Sequence, residues 1–332
     1  MCADRGLPHL RKRMSGMNLT GGKFKGLALG FTATFCWASF YIVSRYFFGT
    51  DSDGLDPFWS SFLRYLLAAA VLFCFLAVQK QIPVLTAALR KDWKMLLLLG
   101  AVGIAGESTL LFYSMQFTTA ARSNLLTNIS PVVTAVMSWF ITREVFSRSQ
   151  IFGMLLGFVG MLTVFFLRGG DQFTGGKVSF LIGDLMAVAA GICWSAFTVL
   201  GENAVRRYGP PVIMCGAFLF GALVMIPVMG IAGSRITFAI DLRGWLMILY
   251  IGIVSNALAN VCWYAALKYL KPGELGSFGY VSILLTVLLA FCFLGEKITL
   301  PFVLCLAMIL LGTGMMLKIS SSDHQPEKRK IS

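Results

Sequence analysis

Long apolar runs separated by short polar breaks set the pattern of this chain. A bilayer core needs about 20 apolar residues per helix, and runs of that length predict spans at 26–48, 57–78, 94–115, 122–141, 149–167, 178–201, 211–231, 244–267, 273–294 and 300–318. The breaks read DSDGLDP at 51–57, KQIPVLTAALRKD at 80–92, RGGDQFTGGK at 168–177 and RRYGPP at 206–211. Span 4 contains Asn124, Asn128 and Pro131. Pro131 predicts a broken helix with a freed carbonyl, tolerated only against protein or water. The first run exceeds the 7–15 residues of a signal-peptide core, so residues 1–25 are expected to be a basic cytoplasmic tail. Residues 319–332 are expected to be a second one.

Composition and charge sharpen this picture. Of 332 residues, 57% are hydrophobic and 13% charged, about half the charge of a soluble domain. The net charge of +13 does not mark a nucleic-acid binder, because the cations are scattered between apolar runs. With the N-terminus inside, twenty of the 28 Lys and Arg residues fall on the inner side, six fall outside, and Arg45 and Arg64 lie within spans. The first outer loop holds Asp51, Asp53 and Asp56 and no cation. That bias predicts cytoplasmic termini and an even number of spans in a plasma (inner) membrane. The eight cysteines form no CxxC pair and the two histidines, His9 and His324, sit in the tails, so neither a metal nor another cofactor is expected.

The two halves of the chain echo each other. Phe35-Cys36-Trp37-Ala38-Ser39-Phe40 matches Ile192-Cys193-Trp194-Ser195-Ala196-Phe197, and Asp56-Pro57 matches Pro210-Pro211. Asp92-Trp93 matches Gly244-Trp245, and the segment Trp139 to Glu144 matches Phe291 to Glu296. The offsets are 157, 154, 152 and 152. Five spans per copy is odd, so the second copy enters the bilayer upside down, a transporter signature. The predicted fold is therefore an all-α integral membrane protein of ten transmembrane helices in two inverted five-helix repeats, 26–167 and 178–318, joined by a linker at 168–177.

The segments NLLTNISPVVTAVMSWFITREVFSRSQIFGMLLGFVG (124–160) and SFGYVSILLTVLLAFCFLGEKITLPFVLCLAMILLGTG (277–314) resemble the EamA-type repeats of the drug/metabolite transporter superfamily. The second contains the family-like GEKIT, while the first reads REVFS and lacks the glycine before its glutamate. The resemblance spans about 26–317. It implies ten helices, cytoplasmic ends and a central cavity shared by both halves.

Polar groups inside spans are costly, about 2.5–3.5 kcal/mol for a central charge. Glu107, on a helix face with Ser114, is either a protonatable or cation-pairing cavity group or a structural carboxyl. Arg64 is either its counter-ion or a side chain snorkelling to the outer surface. Span 6 carries the stripe Asp184, Gly191, Ser195, Thr198 and Glu202, facing protein or water. Asn124 and Asn128 with Pro131, and Asn256 and Asn260 with Trp263, are candidate substrate contacts or interhelical hydrogen bonds. Trp37 and Tyr41 of span 1, Trp194, and Tyr113, Tyr264 and Tyr280 offer aromatic walls for an organic solute or ordinary packing. Glu144 and Glu296 are expected to favour the dipole of the helix that follows each. Gly153, Gly157 and Gly160 form a face for tight packing or for a homodimer contact.

These features point to a secondary transporter that exports a small polar organic metabolite, an amino acid or related compound, by alternating access. Its partners would be the lipid bilayer and the solute. A nucleotide-sugar or sugar-phosphate carrier is the alternative, though phosphate would call for more intramembrane cations than Arg45 and Arg64. A non-transport scaffold or sensor is another. No paired acids, HExxH or Ser/Lys dyad suggests an enzyme.

Overall fold

The computed structural model describes residues 22–40, 56–117, 123, 126–167, 177–294 and 300–317, and all its regular elements there are helices. In chain order these are α1 (22–40), α2 (Pro57–Val78), α3 (Ile82–Lys91), α4 (Trp93–Phe117), α5 (Ser130–Ile141) and α6 (Arg148–Leu167). There follow α7 (Lys177–Tyr208), α8 (Pro210–Ala232), α9 (Leu242–Ala266), α10 (Pro272–Gly276), α11 (Phe278–Leu294) and α12 (Leu300–Leu317). Six stretches among the described residues are long and apolar enough to cross a bilayer: α2, α4, Leu181–Tyr208 of α7, α8, α9, and Pro272–Phe293 across α10 and α11.

Helix starts and stops follow from local chemistry. Asp56 caps α2, its Oδ1 accepting from the Phe58 and Trp59 amides at 2.9 Å, with Pro57 at the first position. Asp241 accepts from the Gly244 amide at the start of α9, and Ser147 and Gln150 form a reciprocal capping box at the start of α6. Arg143 ends α5 at φ 55°, a left-handed conformation that glycine adopts more readily. One expectation changes here and another is met. The break at 80–92 contains α3, which buries Leu85 and Ala88 and leaves Arg90 and Lys91 exposed. Span 4 is broken just ahead of Pro131, as its proline predicts. Asn128 sits in a turn and α5 begins at Ser130 with Pro131 in its first turn, because proline lacks the amide for an interior position and favours a helix start.

α4 and α9 each contain an eight-residue π-helical stretch, Leu99–Gly106 and Ile251–Leu258. The two stretches are offset by 152 residues, as are the Asp92-Trp93 and Gly244-Trp245 motifs that open these helices. Each packs through a glycine: Gly100 lies against the α8 backbone at Ala217 and Gly221, and Gly252 against Leu67 of α2. α2 and α8 also touch each other, with Tyr65 and Phe218 stacked at 5.9 Å.

Polar contacts define two ends of the bundle. At the first, Lys23 Nζ meets Glu274 Oε1 at 2.8 Å, the Gly273 amide donates to Glu144 Oε2 at 3.1 Å, and Gln150 Nε2 donates to the Met316 carbonyl at 3.1 Å. Arg206 donates to the Leu267 carbonyl, and Arg207 and Tyr208 both reach Asp92. At the second end, about one 22-residue helix length or 33 Å away, Trp59 Nε1 donates to the Thr237 carbonyl at 2.8 Å and the Arg235 amide to Asp56. Gly153 and Gly157 of α6 meet Gly312 of α12 and Tyr280 of α11, so this part of the small-residue face packs inside the chain.

Candidate functional site

Three tryptophans from three helices meet in the middle of the bundle. Trp37 of α1 and Trp194 of α7 touch edge to face at 5.2 Å, and Trp263 of α9 lies 5.2 Å from Trp37 and 5.8 Å from Trp194. Two of the indoles are anchored. Trp37 Nε1 donates to the Ser255 carbonyl at 2.9 Å, and Trp263 Nε1 donates to Thr198 Oγ1 at 3.1 Å. Ser255 lies in the π stretch of α9, whose wider turns loosen the regular ladder and offer carbonyls to other partners. Trp263 is fully buried, whereas Trp37 and Trp194 keep part of their surface open.

A charged group is built beside them where the other π stretch ends and α4 turns α-helical again. Arg64 of α2 turns inward and does not snorkel: its Nη2 donates to Tyr65 Oη at 3.0 Å and to Ser108 Oγ at 3.1 Å. Ser108 Oγ in turn donates to Glu107 Oε2 at 3.1 Å and bonds Tyr65. Tyr65 Oη also reaches the Ile104 carbonyl within the π stretch at 3.2 Å. Arg64 Nε is buried without a partner. Ser108 thus links a cation on α2 to the carboxylate of Glu107, and both charged groups are partly exposed. The Cβ position of Gly106 faces Cys193 Sγ at 4.0 Å, which sets this group next to Trp194.

The remaining predicted residues divide. Asn256 and Asn260 are buried in α9, where Asn260 Nδ2 donates to the Asn256 carbonyl at 2.9 Å. Asn256 Nδ2 and Asn260 Oδ1 have no partner, a costly state for buried amides that a bound polar solute or water would relieve. Ser195 is fully engaged, donating to the Ser130 and Gly191 carbonyls and so tying α7 to the start of α5. Asn128 lies in the turn before α5. Tyr280 is not with the tryptophans: it packs on Gly157 of α6 with its hydroxyl unpartnered. Tyr41 and Asn124 lie outside the described residues, as does Glu296. Tyr65 and Ser108 escaped the sequence reading. Their signal was adjacency, a polar doublet Arg64-Tyr65 and another Glu107-Ser108 inside apolar runs. Among the described residues, no group of three His, Cys, Asp or Glu is placed to hold a metal.

A helical membrane protein with an aromatic group and a neighbouring charged group inside its bundle is the class that this fold and site define. The EamA-like transporter family model matches residues 24–166 and 181–318. The chain belongs to that family. It is similar to an uncharacterized transporter of Clostridium kluyveri, 26% identical over 85% of this chain and 89% of the relative. The uncharacterized inner membrane transporter YhbE of Escherichia coli is 26% identical over 61% of each chain. The WAT1-related protein At4g08290 of Arabidopsis thaliana is 24% identical over 94% of this chain and 87% of its own. A solved crystal structure superposes with TM-score 0.75, covering 87% of this chain and 95% of the other at 20% identity, which speaks to fold alone.

Proposed function

We propose that the protein is a secondary carrier that exports a small polar organic metabolite, an amino acid or related compound, by alternating access between two inverted five-helix halves. The observation that carries this is the contact between Trp37 and Trp194. They occupy matching places in the FCWASF and ICWSAF motifs. Two residues exchanged by a two-fold axis can touch only beside that axis, so an inverted repeat of this chain would have its axis between the indoles. In an inverted repeat the axis lies in the membrane plane, and solutes bind near the bilayer midplane at the repeat interface.

The end contacts support the same reading. α1 starts at the Glu274 end while α7 finishes there, at Arg206 to Tyr208. α2 starts at the Thr237 end, where α8 finishes. Lys23 and Met316 sit at one end, together with Arg143, Arg148, Arg206, Arg207 and Lys271. The positive-inside rule makes that end cytoplasmic. Arg64 and Glu107 give one wall both charges and the tryptophans give it aromatic faces, a combination suited to a zwitterion with an organic side chain. Arg64 is the one cation in this described group, which suits a phosphorylated sugar poorly.

The test is counterflow of a radiolabelled amino-acid panel in proteoliposomes. Saturable uptake competed by unlabelled solute is the expected result, and flux that rises linearly without competition would refute a carrier. Glu107→Gln, assayed with and without a pH gradient, decides proton coupling: wild-type flux at every pH would remove Glu107 from that role.

A further inference from the structure

The cytoplasmic end holds a second charged cluster that the solute site does not use. The left-handed turn at Arg143 carries Glu144 off α5 and over α10. Glu144 is 5% exposed. Its Oε2 accepts from the Gly273 amide at 3.1 Å, and its Oε1 is buried with no partner. The carboxylate therefore does not serve the dipole of the following helix, which Ser147 and Gln150 cap; it bridges to a different one.

Every element around it brings charge. The α9–α10 junction brings Lys271 and Glu274, and α7 brings Glu202, which bonds Arg206 one turn on. α1 brings Lys23, held by Glu274, and the segment of Glu144 itself adds Arg143 and Arg148. α1 is further seated here because Gly26 packs on Tyr269 and Leu270. The cluster is the point where α1, the α5–α6 turn, α7 and the α9–α10 junction are held together.

We propose that Glu144 is a proton-binding site: its neutral form holds these elements closed at the cytoplasmic end, and its ionised form loosens them. The ionised form leaves a buried oxygen without a hydrogen-bond partner in the neighbourhood of Glu274, Lys271 and Glu202, while opening returns that oxygen to water. Burial, opposed by the Gly273 amide and Lys271 and reinforced by the two neighbouring carboxylates, pushes the Glu144 carboxyl up to about 7. In the open form it takes an ordinary carboxylate value near 4.5. The closed form binds the proton more tightly, so acid favours closure. The closed-to-open ratio falls by up to about tenfold per pH unit between those two values and levels off above the higher one. The consequence for flux, faster cytoplasmic opening as the inner pH rises, rests on the carrier reading; the latch does not.

Hydrogen–deuterium exchange of the full-length protein in nanodiscs separates the two. The readout is the exchange of peptides covering Gly273, corrected for intrinsic pH dependence, from pH 5.5 to 8.5. Wild type is expected to lose protection by about tenfold or more across this range. Glu144→Gln is expected to keep its low-pH protection throughout. Glu202→Gln, which leaves Glu144 in place, is expected to move the midpoint down and carries the test if Glu144→Gln does not fold. A flat wild-type profile, or the same slope in Glu144→Gln, would overturn the proposal. A pH-dependent latch without counterflow would instead overturn the carrier and leave the latch standing.

Discussion

Gly100→Ala tests how the π stretches seat the two halves. A Cβ at Gly100 would lie 2.6 Å from the Ala217 carbonyl oxygen and 2.7 Å from the Gly221 nitrogen. Both are α8 backbone, so neither can rotate away. α4 and α8 would have to part by about 0.4 Å to reach even a tight contact. Overpacking of this kind costs about 1–3 kcal/mol, and alanine returns about 0.5–1 kcal/mol of helix propensity, leaving a net loss of about 1–2 kcal/mol. The repeat-related Gly252→Ala meets Leu67 Cδ2 at 2.6 Å, Cγ at 3.0 Å and Cβ at 3.2 Å, a side chain whose outer atoms can swing away at about 0.5–1.5 kcal/mol while its Cβ must give by a few tenths of an ångström. The propensity gain offsets most of that cost, so this variant is expected to lose less than Gly100→Ala. Gly230→Ala, with nothing within 4 Å, is the control and should be neutral or slightly stabilising. Reversible unfolding by SDS titration, followed by tryptophan fluorescence, measures all three in one detergent. A Gly252→Ala loss equal to or larger than that of Gly100→Ala would refute the reasoning.

Four further outcomes are expected. Trp37→Phe keeps an aromatic ring but removes the donor to Ser255, and should cost about 1 kcal/mol in the same assay. Ser108→Ala breaks the link between Arg64 and Glu107 and should cost about 1–3 kcal/mol, with counterflow lost or its half-saturation raised. Arg143→Gly relieves a left-handed backbone at φ 55° and should stabilise by about 1 kcal/mol; a destabilised variant would contradict that account. Glu144 is raised from 4.5 to about 7 in the folded protein, so its contribution is most favourable below 4.5 and is lost as pH rises through 7. Glu144→Gln should therefore be near neutral at pH 4.5 and more stable than wild type by about 3 kcal/mol at pH 8, read from unfolding midpoints across pH.

Helix positions were legible because a bilayer imposes a minimum apolar length, and the FCWASF/ICWSAF match pointed to the tryptophan pair before any contact was known. α3 was missed because ten residues with Ile82, Leu85 and Leu89 on one stripe look like a loop when weighed against 20-residue runs. The π stretches were not legible, because a π stretch depends on which neighbour presses on the helix. Glu144 was assigned to the wrong helix for a similar reason, since its partner Gly273 is 129 residues away and no local pattern encodes that meeting. Tyr280 and Ser195 carried plausible chemistry, yet packing placed one on Gly157 and tied the other to Ser130.

Alternating access can be tested at Cys193, which adjoins Trp194 in sequence and faces Gly106. With the other seven cysteines replaced by alanine, an impermeant methanethiosulfonate is added to one side or the other of oriented proteoliposomes during counterflow. Modification of Cys193 from each side separately, with loss of flux, is the predicted result. Reaction from only one side throughout turnover, or flux that survives complete modification, would contradict a solute site shared by the two halves.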